Sequence, residues 1–153
     1  MKIVLSLFSR KLRNGNRNPK DYHWANELTE LLNKNYHTIQ IGITGEPSIG
    51  AKEVVLDKTM QDLTNIILDC DVWISVDNFL PHMMNCVGKP GVVIWGKSDP
   101  KIFGYKQNMN ILKSDEFLRK NQFDIWENES YDEKVFVIPE EIAISIGKNE
   151  MSI

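Results

Sequence analysis

Residues 71–100, DVWISVDNFLPHMMNCVGKPGVVIWGKSDP, decide the fold. An apolar, β-rich run at 72–76 breaks at the polar pair Asp77-Asn78 and resumes as a short helical segment at 81–87. A Gly88-Lys89-Pro90 turn follows, then a second β-rich run at 91–95 and another polar turn at 97–100. Strand, turn, helix, turn, strand is a βαβ unit, whose two strands are parallel. Asp77 ends the first strand and His82 lies five residues further on. A carboxylate, a helix start and an imidazole therefore meet at the carboxyl edge of a parallel sheet, where open α/β folds bind ligands.

The same alternation extends in both directions. Residues 2–8 read as the first strand, and the polar stretch 9–20, with Asn14-Gly15-Asn16 and Asn18-Pro19, as a loop. A helical period begins at Asp21, the expected N-cap, with Trp24, Leu28, Leu31 and Leu32 on one face. Residues 37–43 form the second strand, 44–50 a loop, and 53–56 a short strand. Asp57 is the expected cap of a helix whose apolar face carries Met60, Leu63, Ile66, Ile67 and Cys70. A last short strand is expected at 109–112, and Pro139 suits the first turn of a closing helix. The strands are apolar on both faces, as a buried parallel sheet requires. The expectation is an α/β fold, a single Rossmann-like three-layer α/β/α sandwich with a parallel sheet. One domain spans residues 1–147, and 148–153 form a frayed tail.

Composition narrows the function. The 153 residues are 42% hydrophobic and 25% charged, ordinary values for a globular domain. A net charge of −3 offers no broad basic field, so no nucleic-acid partner is expected. No run approaches the roughly 20 apolar residues of a membrane span. The first eleven residues are too short for a signal-peptide core, so the expected compartment is the cytoplasm. Cys70 and Cys86 sit in apolar helical contexts and read as buried thiols, not a disulfide. His23, His37 and His82 lack metal-ligand spacing, and no metal or other cofactor is expected. Gly42-Ile43-Thr44-Gly45 is not a dinucleotide fingerprint and follows the wrong strand, and no P-loop is present.

Several residues remain that could serve chemistry. Asp77-Asn78-Phe79 either caps its helix or uses the free N–H groups and positive dipole end to hold a phosphate. His82 is either packed in its helix or turned to the strand edge, where it would donate to a phosphate oxygen. Arg10, Lys11, Arg13, Arg17 and Lys20 follow the first strand and are either a solvated loop or cations for the same ligand. Glu46, in the loop after the second strand, is either an exposed acid or an acceptor for ribose hydroxyls.

These residues also resemble a family. Lys58 to Leu63, Cys70-Asp71, Ser75-Val76-Asp77, His82, Gly88-Lys89-Pro90, Gly96 to Pro100 and Phe103-Gly104-Tyr105 follow one another as in the nucleotide-binding half of glycosyltransferase family 9. These are the ADP-heptose:lipopolysaccharide heptosyltransferases, whose second domain carries D-[ST]-G-x-x-H, then G-x-P, then G-x-T-D-P. The likeness runs over residues 2–112 and rests on ordered spacing. It implies the C-terminal half of a GT-B glycosyltransferase, with Asp77, Asn78 and Phe79 on the diphosphate turn and His82 as the motif histidine. It places Arg17 at a phosphate-binding cation, Ser9 and Arg10 on a hydroxyl-rich turn, Glu46 near the ribose acid and Thr59 near a backbone contact to the base. Asn78 stands for a hydroxyl residue, and Phe79 for glycine.

The resemblance implies a nucleotide-diphosphate sugar as partner, an ADP-sugar first. An inverting transfer needs a base on the acceptor and charge stabilisation on the departing diphosphate. The implied site supplies the second. A homodimer or a partner chain would supply the acceptor domain and its base, and no catalytic residue is assigned. The alternative is a non-catalytic module that senses or sequesters a nucleotide or nucleotide sugar.

Overall fold

The computed structural model describes residues 1–151. It contains one six-stranded sheet, all parallel, formed by β1 (Lys2–Ser6), β2 (His37–Gly42), β3 (Glu53–Leu56), β4 (Val72–Val76), β5 (Val92–Ile94) and β6 (Met109–Ile111). The strand order is β3-β2-β1-β4-β5-β6, so the chain leaves one half of the sheet for the other between β1 and β4. That reversal opens a crevice beyond the carboxyl ends of β1 and β4.

The alternation of the strands sorts the core into two layers. Ile3, Leu5, Ile74 and Val76 point to one face, against Leu28 and Leu32 of α1 (Ala25–Asn33) and Ile142 and Ile146 of α5 (Pro139–Met151). Val4, Ile39, Trp73 and Val93 point to the other, against Leu63 and Ile67 of α2 (Met60–Asp69) and Leu80 and Met84 of α3 (Phe79–Cys86). A single-turn helix, α4 (Pro100–Phe103), precedes β6. Edge strand β3 is the least covered, with Val54 and Leu56 exposed. Helix α5 continues to Met151, into the segment expected to fray, and residues 152 and 153 lie outside the described residues.

The expected helix caps need correction. Asp21 does not cap α1, which begins four residues later behind Trp24 with no side-chain cap. The Asp21 carboxylate instead accepts the Ser9 N–H at 2.6 Å, and the Tyr22 N–H donates to Leu7 O at 3.1 Å. These long-range bonds hold residues 21–24 off the helix axis. Asp57 does not cap α2 either. It takes a left-handed backbone (φ 57) and accepts the N–H and hydroxyl of Thr44, leaving Thr59 to accept the Asp62 N–H at 3.1 Å. Cys70 is buried as expected, but Cys86, at the last position of α3 and off its Leu80–Met84 stripe, is exposed.

The Gly-Lys-Pro turn serves packing. Lys89 reaches back so that its ammonium donates to Ile67 O at 2.8 Å, Leu68 O at 3.2 Å and Cys70 O, carbonyls at the end of α2. Gly91 passes directly under Trp73, and a Cβ there would lie 2.1 Å from the buried indole ring. Replacing Lys89 by Met keeps the stem but removes the cap. Lys89→Met should lower the unfolding free energy by about 1–2 kcal/mol in a denaturant titration, without changing the slope.

Candidate functional site

The crevice between β1 and β4 is closed at its base by one side chain. Asn78 donates from Nδ2 to Ser6 Oγ and Phe8 O at 3.0 Å, and to Ser6 O at 3.3 Å. Its Oδ1 accepts the Leu80 N–H at 2.9 Å, capping α3. Asn78 is therefore the cap that Asp77-Asn78 offered, and its polar atoms are committed to the protein. Ser9 adds a second tie, its hydroxyl donating to Asp77 O at 3.1 Å.

Above this base lies a cleft of about 1110 Å³, and a second of about 520 Å³ opens beside it. Ser9, Arg10, Lys11 and Glu46 line both, so the two are arms of one groove along the carboxyl edge of the sheet. The larger arm adds Asp77, Asn78, Phe79, His82, Lys20 and the turn Trp126–Asn128 through its Trp126. The smaller adds Arg17, Asp21 and the Thr44-Gly45 turn beyond β2. Arg10, Lys11, Arg13 and Lys20 face Glu46, Asp77 and Glu127 across the larger arm. In a chain of net charge −3 this is a local excess of cations.

Each expected residue has a definite place. The Asp77 carboxylate lies 3.8 Å from the Lys20 ammonium, a half-buried pair that offsets its charge. His82 is exposed on the cleft wall, with Nδ1 2.7 Å from the Tyr105 hydroxyl. Phe79 is 44% exposed, its ring at the cleft rim. Glu46 folds back over Gly42, where an added Cβ would come within 2.1 Å of Glu46 Oε2, so residue 42 must be glycine for this conformation. Burial raises the Glu46 pKa above the usual carboxylate range, against the Ile43 N–H that lowers it. Gln40 holds the loop from below, donating to Pro47 O at 3.0 Å and accepting the Ile49 N–H at 3.1 Å.

Two expected residues sit elsewhere. Arg17 lines only the smaller arm, with its guanidinium 4.0 Å from the Tyr131 ring centroid and donating to Tyr22 O at 3.4 Å. Thr59 lines neither arm, because its hydroxyl caps α2. Trp126 and Glu127 line the larger arm without a sequence signal, coming from a segment with no regular period. Among the described residues no helix is long and apolar enough to cross a membrane.

The α3 start is a weak backbone anion site. Asn78 takes the Leu80 N–H, and residue 81 is proline, which has none. Any anion in the groove is therefore met chiefly by side-chain cations.

The topology defines a Rossmann-like α/β domain, one parallel six-stranded sheet with helices on both faces. A solved structure, Escherichia coli heptosyltransferase WaaC with ADP, is similar at a TM-score of 0.55 and 21% identity, over 71% of this chain and 37% of that one. The match thus spans well under half of that enzyme. No protein-family profile matches the sequence, and no curated protein matches it.

Two variants probe the base of the groove. Asn78→Asp would set a carboxylate against the oxygens that Asn78 Nδ2 now serves, and should cost about 3 kcal/mol in equilibrium unfolding. Asp21 is raised to about 6, mainly by burial and against the Ser9 N–H that lowers it. Its protonated form thus suits the fold, and stability is lost as pH rises from the unfolded value of 3.8 through about 6. Asp21→Asn keeps an acceptor for Ser9 and removes the ionisation. Its melting temperature should exceed wild type at pH 7, and the gap should close by pH 4.

Proposed function

We propose that this chain is a glycosyltransferase-like domain, of the family 9 kind, that binds a nucleotide-diphosphate sugar in the groove at the carboxyl edge of its sheet, an ADP-sugar first. The observation that carries the reading is Lys20. Its ammonium stands in the cleft 3.8 Å from the Asp77 carboxylate and 5.4 Å from the Trp126 ring centroid, both beyond hydrogen-bond distance. A three-donor cation held there beside Arg10 and Lys11 suits a diphosphate, which would sit at the strand reversal where such folds take nucleotides. Glu46, at the β2 end of the groove, suits the ribose hydroxyls, and the cations would stabilise charge on a departing diphosphate.

The geometry argues against carrying over every implied contact. In this reading the phosphates meet Arg10, Lys11 and Lys20, with Ser9 and His82 beside them. Asn78 acts through the groove's base, Arg17 borders the nucleoside end, and Thr59 takes no part. Transfer also needs an acceptor and a base, which by the resemblance a second domain provides. The two free thiols, Cys70 and Cys86, suit a cytoplasmic setting.

Phe79 favours a second reading, a non-catalytic nucleotide-binding module. Its ring occupies the rim where the resembling family has glycine for close backbone approach. Turnover of a radiolabelled nucleotide sugar by the purified chain would sink that alternative.

Isothermal titration tests the primary reading. ADP or an ADP-sugar should bind, and Lys20→Ala should weaken binding at least about ten-fold, because it removes a cation and leaves Asp77 unpaired. Folded protein that gives no binding heat with ADP, UDP, GDP or their sugars overturns the proposal.

A further inference from the structure

The two arms of the groove differ in chemistry. The smaller arm is lined by the polar Thr44-Gly45 turn beyond β2, whereas one wall of the larger carries Ile125, Trp126 and Glu127, with Phe79 also in its lining. Phe79 and Ile125 are exposed large hydrophobic residues. The wall is built, not incidental. Arg119, its side chain 1% exposed, stacks its guanidinium 4.1 Å from the Trp126 ring centroid. It is fixed in turn by Glu129 Oε1 at 3.1 Å and by the carbonyls of Asp124 and Ile125 at 2.8 and 3.0 Å. Lys97 pins Glu129 from the end of β5 at 3.1 Å. The Arg13 N–H donates to Glu127 Oε1 at 3.3 Å, tying the wall to the loop after β1.

We propose that Trp126, with Ile125 and Glu127, forms a subsite for the pyranose ring of a nucleotide sugar in the larger arm of the groove. The inference rests on the nucleotide-sugar reading of the groove and adds which part of the ligand goes where. Order along the sheet edge gives the direction. Glu46 follows β2, Arg10 and Lys11 follow β1, Asp77 follows β4, and the Trp126 segment is tied to Lys97 beyond β5 through Glu129 and to the loop after β1 through Glu127. A ligand with ribose at Glu46 and its diphosphate at the cations reaches Trp126 with whatever follows the second phosphate. Glu127, held by the Arg13 N–H, sets a carboxylate acceptor beside the ring. An aromatic face beside a carboxylate suits a neutral polyol, whose C–H face packs on the indole while a hydroxyl donates to Glu127. Lys20 is the looser of the two cation contacts on Trp126, and it can turn to the phosphate when the sugar covers the ring.

Titration calorimetry with matched pairs, ADP and ADP-glucose, UDP and UDP-glucose, and GDP and GDP-mannose, tests the assignment. For the pair that binds, Trp126→Ala should weaken the sugar nucleotide roughly 5- to 10-fold and the bare diphosphate by less than about two-fold. Trp126→Phe should retain most of the difference. Trp126→Leu, which keeps bulk on Arg119 without a π face, replaces the alanine variant if circular dichroism shows that alanine unfolds the chain. Equal losses for both members of a pair, or none for either, overturn the sugar subsite and leave the nucleotide reading standing. Absence of binding by folded wild-type protein overturns the nucleotide reading, and the subsite with it.

Discussion

Asn78 ties the segment that leaves β1 to the turn that leaves β4, just beyond the last pair of their ladder. In the 3-2-1-4-5-6 order β1 and β4 are paired as far as Ser6 and Ser75, and beyond the ladder the chain leaves them toward opposite faces, to α1 on one and α3 on the other. One amide reaches the Ser6 and Phe8 oxygens from the β4 side and caps α3 with its other end. A hydroxyl at this position has one donor and could not make both ties. The spacing between the Ser9 loop and the Asp77 turn follows from this crosslink, and so does the width of the groove above it. Every cation in the groove is placed by one of those two segments.

The strands were legible because their residues have few other options. Runs such as Ile3-Val4-Leu5 and Trp73-Ile74-Ser75-Val76 are too short and too β-branched for helices, and only a sheet covered on both faces buries them. Asp77 could be placed at a strand end for the same reason. Caps were less legible. Asp21 and Asp57 are good cap residues in good positions, but each had a better partner far away in sequence, Ser9 for one and Thr44 for the other. Local propensity cannot see a competitor that only the tertiary fold delivers.

Trp126 was beyond reach for a related reason. Residues 113–138 have no period, only short 3-10 turns at Asp115–Phe117, Trp126–Asn128 and Glu133–Val135. Their course is set by one buried arginine, whose partners span Asp124 to Glu129 and, through Glu129, Lys97. Arg119 looks like any other surface cation in the sequence. Burial without that acceptor set would be prohibitive, and with it the arginine becomes the scaffold of a loop. The Gly-Lys-Pro turn is the converse case. It belongs to the resemblance, yet Lys89 spends its charge on the end of α2 and lines neither arm of the groove.

Phe79 can now be read as part of a consistent trade. A glycine at a phosphate turn lets backbone N–H groups approach the anion, which costs no side-chain entropy and is little affected by salt. Here the turn carries a ring, Pro81 supplies no donor, and Asn78 has taken the Leu80 N–H. Loss of backbone donors at one site is matched by a gain of side-chain cations around it, from Arg10 to Lys20. Such a site holds its anion through long, partly exposed side chains, so affinity falls more steeply with ionic strength than at a glycine-rich turn. It also adjusts more readily to where the phosphates lie, because each cation has its own rotamers. Phe79 lines the same arm of the groove as Ile125 and Trp126, so a side chain that hinders close approach to the backbone also adds apolar surface to that arm.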